Sequence, residues 1–198
     1  MVRAAVLLPQ GAEEMEAVIV QDVLKRAEFD TILVSLDEAK MVTCSRKVGI
    51  AADKCLNEIE NEIFDIVVLP GGLVGTQNLK KSTKVKNFVE THIKANKYIG
   101  AICAAPLVLK EFEFFKQKDE RKFRATYHDS CDNDLKDYFE RPNGEAVVLD
   151  DKLITSKGPG TAFDFAINIV KLLKPNVVNT IVPPMMFEGE NKIFFVEN

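Results

Sequence analysis

The sequence predicts an α/β fold, a mostly parallel β-sheet covered by helices on both faces. Three observations predict it. Runs at 3–9, 64–70 and 98–103 are apolar almost without interruption, the pattern of strands buried on both sides. Segments of helical periodicity lie between them. Turn-forming residues close the runs, with Gln10-Gly11 after the first and Gly71-Gly72 after the second. Strands that alternate with helices in this way need crossover connections, and so build parallel sheets.

Taken in order, the first strand spans 3–9. A helix over 13–28 follows, with Met15, Ile19 and Val23 on one stripe and Val20, Leu24 and Ala27 widening it. A second strand covers 31–35. Residues 41–52 form a pair of short strands that turn near Ser45-Arg46-Lys47. The strand at 64–70 is followed by an amphipathic helix at 82–96, the strand at 98–103 and a helix at 104–115. Further elements are a strand at 122–128, a hairpin at 146–156 across Asp150-Asp151, and a helix at 161–173 entered through Gly158-Pro159-Gly160. With no internal repeat, linker or low-complexity tract, residues 1–198 are expected to form one domain.

Composition narrows the function classes. Hydrophobic residues make up 46% and charged residues 28% of the 198 residues, an ordinary globular balance. A net charge of −4 and a pI near 5.4 argue against nucleic acid or an anionic membrane as partner. The apolar N-terminal run meets charged residues at once and reads as a strand rather than a signal peptide. Cys44, Cys55, Cys103 and Cys131 lack metal-type spacing and are expected to be free thiols of a cytoplasmic protein.

In parallel sheets ligands bind beyond the carboxyl ends of strands. Residues 10–16, Gly71-Gly72, Cys103 and His128 all follow predicted strands and so converge on one edge. Cys103 stands at an abrupt strand-to-helix junction. Gly100 and Ala101 precede it, Ala104 and Ala105 follow, and Pro106 suits a first helical turn. Such a turn pushes its central side chain into a cleft, and small neighbours permit the sharp bend. A helix N-terminus there would favour thiolate and lower the thiol pKa. The segment fits a small buried core cysteine equally well. Glu16 lies on the apolar side of its helix with Ile19, Val20, Val23 and Leu24, where a carboxyl has a raised pKa, while Glu13 and Glu14 fall nearer solvent. A solvated carboxylate at the helix start is the plainer alternative. Backbone amides at Gly71-Gly72 could stabilise an oxyanion beside Cys103, or the pair could be a simple turn.

Five stretches together carry a resemblance. They are "GAEEMEAV" (11–18), "CSRKV" (44–48), "VVLPGG" with "GTQNL" (67–79), "AICAAP" (101–106) and "SKGPGTAFDFA" (156–166). In order and spacing the chain resembles the DJ-one family, the parkinsonism-associated deglycases of the ThiJ/PfpI superfamily. The resemblance implies a flavodoxin-like α/β sandwich that forms a homodimer. It implies that Cys103 is the nucleophile, that Glu16 hydrogen-bonds its thiol, and that the Gly72 and Ala104 amides face it. It places His128 as an active-site histidine, and Arg26 and Arg46 at a dimer interface or an anion site near the nucleophile. Cys44 matches a second family cysteine near the dimer contact. Residues 116–143 depart most from the family, and the spacing from Cys103 to Gly158 is longer than usual. The tail after Phe187 is also long, and its run at 193–196 is expected to pack on the core or the dimer. The stretch "HDSCDND" (128–134) has no second ligand cluster and is not read as a metal site.

Two function classes follow from the resemblance. The first is cofactor-free chemistry on small reactive aldehydes, methylglyoxal or glyoxal turned into a hydroxy acid, with glycated adducts as related substrates. The second is a redox sensor or redox-regulated chaperone that uses oxidation of the same cysteine. Both draw on Cys103 and Glu16, so turnover alone separates them.

Overall fold

In the computed structural model, residues 1–116, 121–189 and 194–195 are described. One sheet dominates. Its strands are β1 (Arg3–Leu8), β2 (Asp30–Ser35), β5 (Lys54–Cys55), β6 (Ile66–Leu69), β7 (Tyr98–Ile102), β8 (Val147–Asp150), β9 (Leu153–Ser156) and β10 (Phe194–Phe195). A separate hairpin pairs β3 (Met41–Thr43) with β4 (Gly49–Ala51). The sheet order is β10-β8-β9-β7-β6-β1-β2-β5, and every neighbouring pair is parallel except β8 with β9. This is the flavodoxin-like arrangement. Chain direction across the sheet reverses at β1, between β2 on one side and β6 on the other, which opens a crevice at the carboxyl ends of β1, β6 and β7.

Strand alternation sends side chains to two cores. Ala4, Val6 and Leu8 of β1 join Ile66, Val68 and Ile154 beneath α1 (Glu14–Arg26) and α7 (Ala162–Leu173). Ala5 and Leu7 join Val67, Leu69, Ile99 and Ala101 on the opposite face. That face is covered by α2 (Leu56–Ile59), α3 (Leu73–Lys81), α4 (Thr83–Lys94), α5 (Pro106–Glu111) and α6 (Asp132–Leu135). The short α8 (Val178–Ile181) follows α7. Each fully buried Leu, Ile or Val contributes roughly 1.5–3 kcal/mol, which makes this two-faced burial the main stabilising feature.

Several expectations are corrected. Helix α3 lies where only a glycine turn was expected. Gly75 sits inside it because a Cβ there would fall 2.8 Å from the Ala12 backbone; this glycine serves close packing and does not break the helix. The expected strand at 122–128 is extended but has only an isolated bridge, Arg124 to Glu140. Two of its amides go to side chains, Arg124 N–H to Asp150 Oδ2 and Thr126 N–H to Thr155 Oγ1, and Ala125 N–H goes to Glu140 O. The helix expected over 104–115 shortens to α5, and left-handed residues Glu113 and Phe115 follow it. On α1, Met15 is 49% exposed, outside the stripe assigned to it. Of the tail run at 193–196, Phe194 and Phe195 pair with Val148 and Leu149, while 193 and 196 lie outside the described residues.

His92 of α4 is fully buried between Phe64 and Phe88. Its Nε2 accepts the Phe64 N–H at 3.0 Å, so Nδ1 carries the ring proton and donates to the Phe88 carbonyl at 2.7 Å. No acceptor awaits a second proton, and burial holds the group below its ordinary 6.5. The unfolded chain therefore binds this proton more readily, so the His92 contribution to stability falls as pH drops below about 6.5, by at most ~1.4 kcal/mol per unit. Glu16, with its raised folded-state pKa, acts oppositely: its contribution is lost as pH rises from 4.5 towards about 7. The check is the difference between wild type and His92→Gln in urea unfolding. Wild type should lose more stability than the variant between about pH 7 and pH 5.5.

Candidate active site

At the end of β7 the chain turns so sharply that Cys103 adopts φ +64°. This left-handed conformation costs a non-glycine residue roughly 1–2 kcal/mol. The surroundings hold it there: Cys103 N–H donates to Ser156 O at 2.9 Å, and Cys103 O accepts from His128 N–H at 3.0 Å. The side chain is thrust into a cleft of about 740 Å³. Gly71 must be glycine at this point, since a Cβ would lie 2.7 Å from Cys103 Cβ and 2.9 Å from Ala104 N. Gly72 has φ +86°, and a Cβ there would lie 2.5 Å from Gly11 O. Gly71→Ala is expected to cost about 1–3 kcal/mol through overpacking against backbone. Urea unfolding measures it, and unchanged stability would mean that the elbow is not tightly held.

Glu16 reaches this elbow from the first turn of α1 and is fully buried. Its Oε2 accepts the Gly71 N–H at 2.6 Å, while Oε1 is buried without an N–H or O–H donor. Burial holds the carboxyl up at about 7, against the Gly71 amide and the Cys103 thiol, which pull it down. Burial and then the Glu16 charge push the Cys103 thiol up to about 12, and the Gly72 and Ala104 amides pull it down. The expected helix-start lowering of the thiol pKa is thus overturned: α5 begins three residues later, at Pro106, and burial beside a carboxylate dominates. Once the carboxyl ionises near 7, the pair holds one proton, on the Cys103 sulfur beside a Glu16 carboxylate.

His128 borders the same space. A Cβ at Gly158 would sit 3.5 Å from His128 Cδ2 and 3.9 Å from Cys103 Sγ. The ring Nδ1 accepts from Ser130 N–H at 3.2 Å and lies 2.8 Å from Ser130 Oγ, which leaves Nε2 as the protonated nitrogen of the neutral ring. The hairpin forms the opposite wall, tied down by Gly11 N–H to Thr43 O and Ser45 N–H to Ala12 O. Ser45 Oγ stands 2.8 Å from both Glu13 Oε2 and Glu14 Oε2, and Arg46 N–H donates to Glu14 Oε1 at 2.9 Å. These bonds bury Glu13 and Glu14, contrary to the expectation that they face solvent. Cys44 also lines the cleft, with its thiol raised to about 11 by burial and the two carboxylates.

The structure therefore brings Cys103, Glu16, Gly72, Ala104 and His128 together, and Arg46 lines the cleft with them. Arg26 does not join them. It closes the far end of α1 in an exposed pair with Asp22, so an anion site near the nucleophile is ruled out for it. Sequence reasoning missed the amide of Gly71 as the partner of Glu16, and Ser45 as the clasp on Glu13 and Glu14. Nothing in a lone glycine pair or a lone serine distinguishes these roles.

The DJ-1/PfpI family profile matches residues 2–172. The chain belongs to the DJ-1/PfpI family. Among DJ-1 relatives, the Drosophila melanogaster protein dj-1beta is 38% identical over 170 residues, covering 86% of this chain and 88% of that one. A Caenorhabditis elegans protein named glutathione-independent glyoxalase DJR-1.2 is 34% identical over 184 residues, 92% of this chain and 95% of the relative. Protein DJ-1 homolog B of Arabidopsis thaliana is 40% identical over 169 residues, but the match spans only 37% of that longer protein. The crystal structure of Drosophila DJ-1beta superposes with a TM-score of 0.90 at 34% identity, covering 95% of this chain and 99% of that one. Among the described residues of this DJ-1/PfpI chain, no helix is long and apolar enough to cross a membrane.

Proposed function

We propose that the chain is a cofactor-independent cysteine enzyme that converts methylglyoxal or glyoxal into a hydroxy acid without glutathione. One observation carries the proposal: the Cys103 thiol stands on a left-handed elbow against the buried Glu16 carboxyl and beneath the Gly72 and Ala104 amides. The Glu16 carboxylate takes the Cys103 proton as the sulfur attacks, and the two amides stabilise the charge that develops on sulfur. The thiolate adds to the aldehyde carbon, and the resulting alkoxide takes its proton from Glu16, giving a hemithioacetal. Glu16, now a carboxylate, removes the hydrogen from that carbon to form an enediol, and a proton returned to the neighbouring carbon leaves a thioester. Water cleaves the thioester, releasing lactate from methylglyoxal or glycolate from glyoxal, and restores the thiol. The His128 Nε2–H is a donor at the cleft wall for the substrate's second oxygen. The name of the Caenorhabditis elegans relative supports this chemistry.

Purified protein in glutathione-free buffer should turn methylglyoxal into lactate of one predominant hand. No lactate above buffer would reject the enzyme reading and leave the redox-sensor alternative. A homodimer belongs to the same proposal. Met15 and Val18 of α1 and Val48 of the hairpin turn are 49%, 43% and 48% exposed, an apolar surface beside the cleft that a second copy would cover. Arg26 is proposed for that interface. Four free cysteines suit a reducing, cytoplasmic setting.

A further inference from the structure

Residues 128–134 supply one wall of the cleft. Of their acidic residues, Asp129 and Asp132 both pair with Arg141. Asp134 differs. Its side chain lines the cleft that holds Cys103, and among the described residues its carboxylate has no ion pair or hydrogen bond. Lys110 donates to the Asp134 backbone carbonyl. Asp134, Gln77 and Leu107 also line a second hollow that opens off the first, so they mark the passage between the two. The other charges in that hollow are Lys110, Lys80 paired with Glu111 at 3.0 Å, and Glu113 paired with Lys116 at 2.7 Å. Across the cleft stands the Arg46 guanidinium, also without an ion pair among the described residues. The cleft thus has an anion on the α6 wall and a cation on the hairpin wall, neither in an ion pair among the described residues, while Glu13, which also lines it, is held by Ser45 Oγ.

We propose that Asp134 is a specificity-determining residue: it selects electrophiles whose body carries a cationic group over neutral or anionic ones of similar size. The inference rests on the reading that Cys103 is the reacting nucleophile. An electrophile held at Cys103 whose tail runs out past Leu107 and Gln77 meets the Asp134 carboxylate. Attraction across a half-exposed cleft is modest, worth about fivefold in rate, and added salt weakens it.

The test is the rate at which three methanethiosulfonates label Cys103. They carry a trimethylammonioethyl, a methyl and a sulfonatoethyl group. The cysteine sulfur displaces methanesulfinate, and a mixed disulfide forms. Peptide mass spectrometry assigns the site, and each rate is divided by that of a free thiol. In wild type the cationic-to-neutral ratio should exceed the free-thiol value about fivefold. Asp134→Asn should bring it near one, Asp134→Lys should invert it, and Arg46→Gln should lower the anionic-to-neutral ratio. An unchanged cationic-to-neutral ratio in Asp134→Asn, with Cys103 still labelled, overturns the inference and leaves the nucleophile reading intact. Labelling of the other thiols while Cys103 resists every reagent overturns both.

Discussion

Cys103→Ala is expected to reduce methylglyoxal turnover to buffer background while the protein stays folded. The loss is total because the Glu16 carboxyl that takes and returns the proton stands against Cys103, whereas Cys44 lies across the cleft beside Glu13 and Glu14. The fold survives because alanine accepts the same φ of +64° at the same backbone cost as cysteine, and only a small sulfur leaves a half-buried position. Unfolding stability should change by about 1 kcal/mol or less. Lactate assay beside urea unfolding checks both halves. A well-folded variant that keeps turnover excludes Cys103 as the nucleophile.

Glu16→Gln should be nearly as damaging to turnover, by roughly 10²- to 10⁴-fold, the usual range for loss of a general acid–base. The amide still accepts the Gly71 N–H that Glu16 now receives at 2.6 Å, and still presents a donor to sulfur. What it cannot do is pass a proton between the carbons of the bound adduct. Glu16→Leu removes the acceptor as well. It strands the buried Gly71 amide at a cost of about 1–3 kcal/mol. The two variants thus divide the residue's roles. Gln should lose kcat with little loss of stability, and Leu should lose both. Equal turnover in wild type and Glu16→Gln would make Glu16 a structural residue only.

The sheet was legible in the sequence because its strands are buried on both faces. Continuous apolar runs such as 64–70 admit few other readings, and their polar ends pointed to the crevice where Cys103 now stands. Helix α3 was not legible. Its two flanking glycines and Gly75 look like turn residues, and only the approach of the Ala12 backbone explains the glycine within it. Residues 122–128 misled for the opposite reason. Their pattern suits a strand, but Asp150 and Thr155 satisfy the amides that a strand neighbour would otherwise take. At the site, Glu16 was found from its helical face. Glu13 and Glu14 were misplaced because their burial depends on Ser45, 32 and 31 residues away, folding over them. The direction of the Cys103 pKa shift could not be read from a local elbow, since burial and the Glu16 charge set it and both are tertiary.

The location of the shared proton is the centre of the mechanism, and ultraviolet thiolate absorbance of Cys103 against pH tests it directly. It should be read in wild type, Glu16→Gln and Glu16→Leu, all carrying Cys44→Ala, Cys55→Ala and Cys131→Ala. With the proton on sulfur and the charge on Glu16, wild-type thiolate should form only well above the neutral range. Glu16→Gln removes the neighbouring charge and its amide donates to sulfur, so its thiolate should form at lower pH. Glu16→Leu, which lacks any donor, should titrate above Glu16→Gln. The contradicting result is wild-type thiolate that forms within the neutral range and moves higher in Glu16→Gln, which would place the proton on the carboxyl and the charge on sulfur at the pH of catalysis.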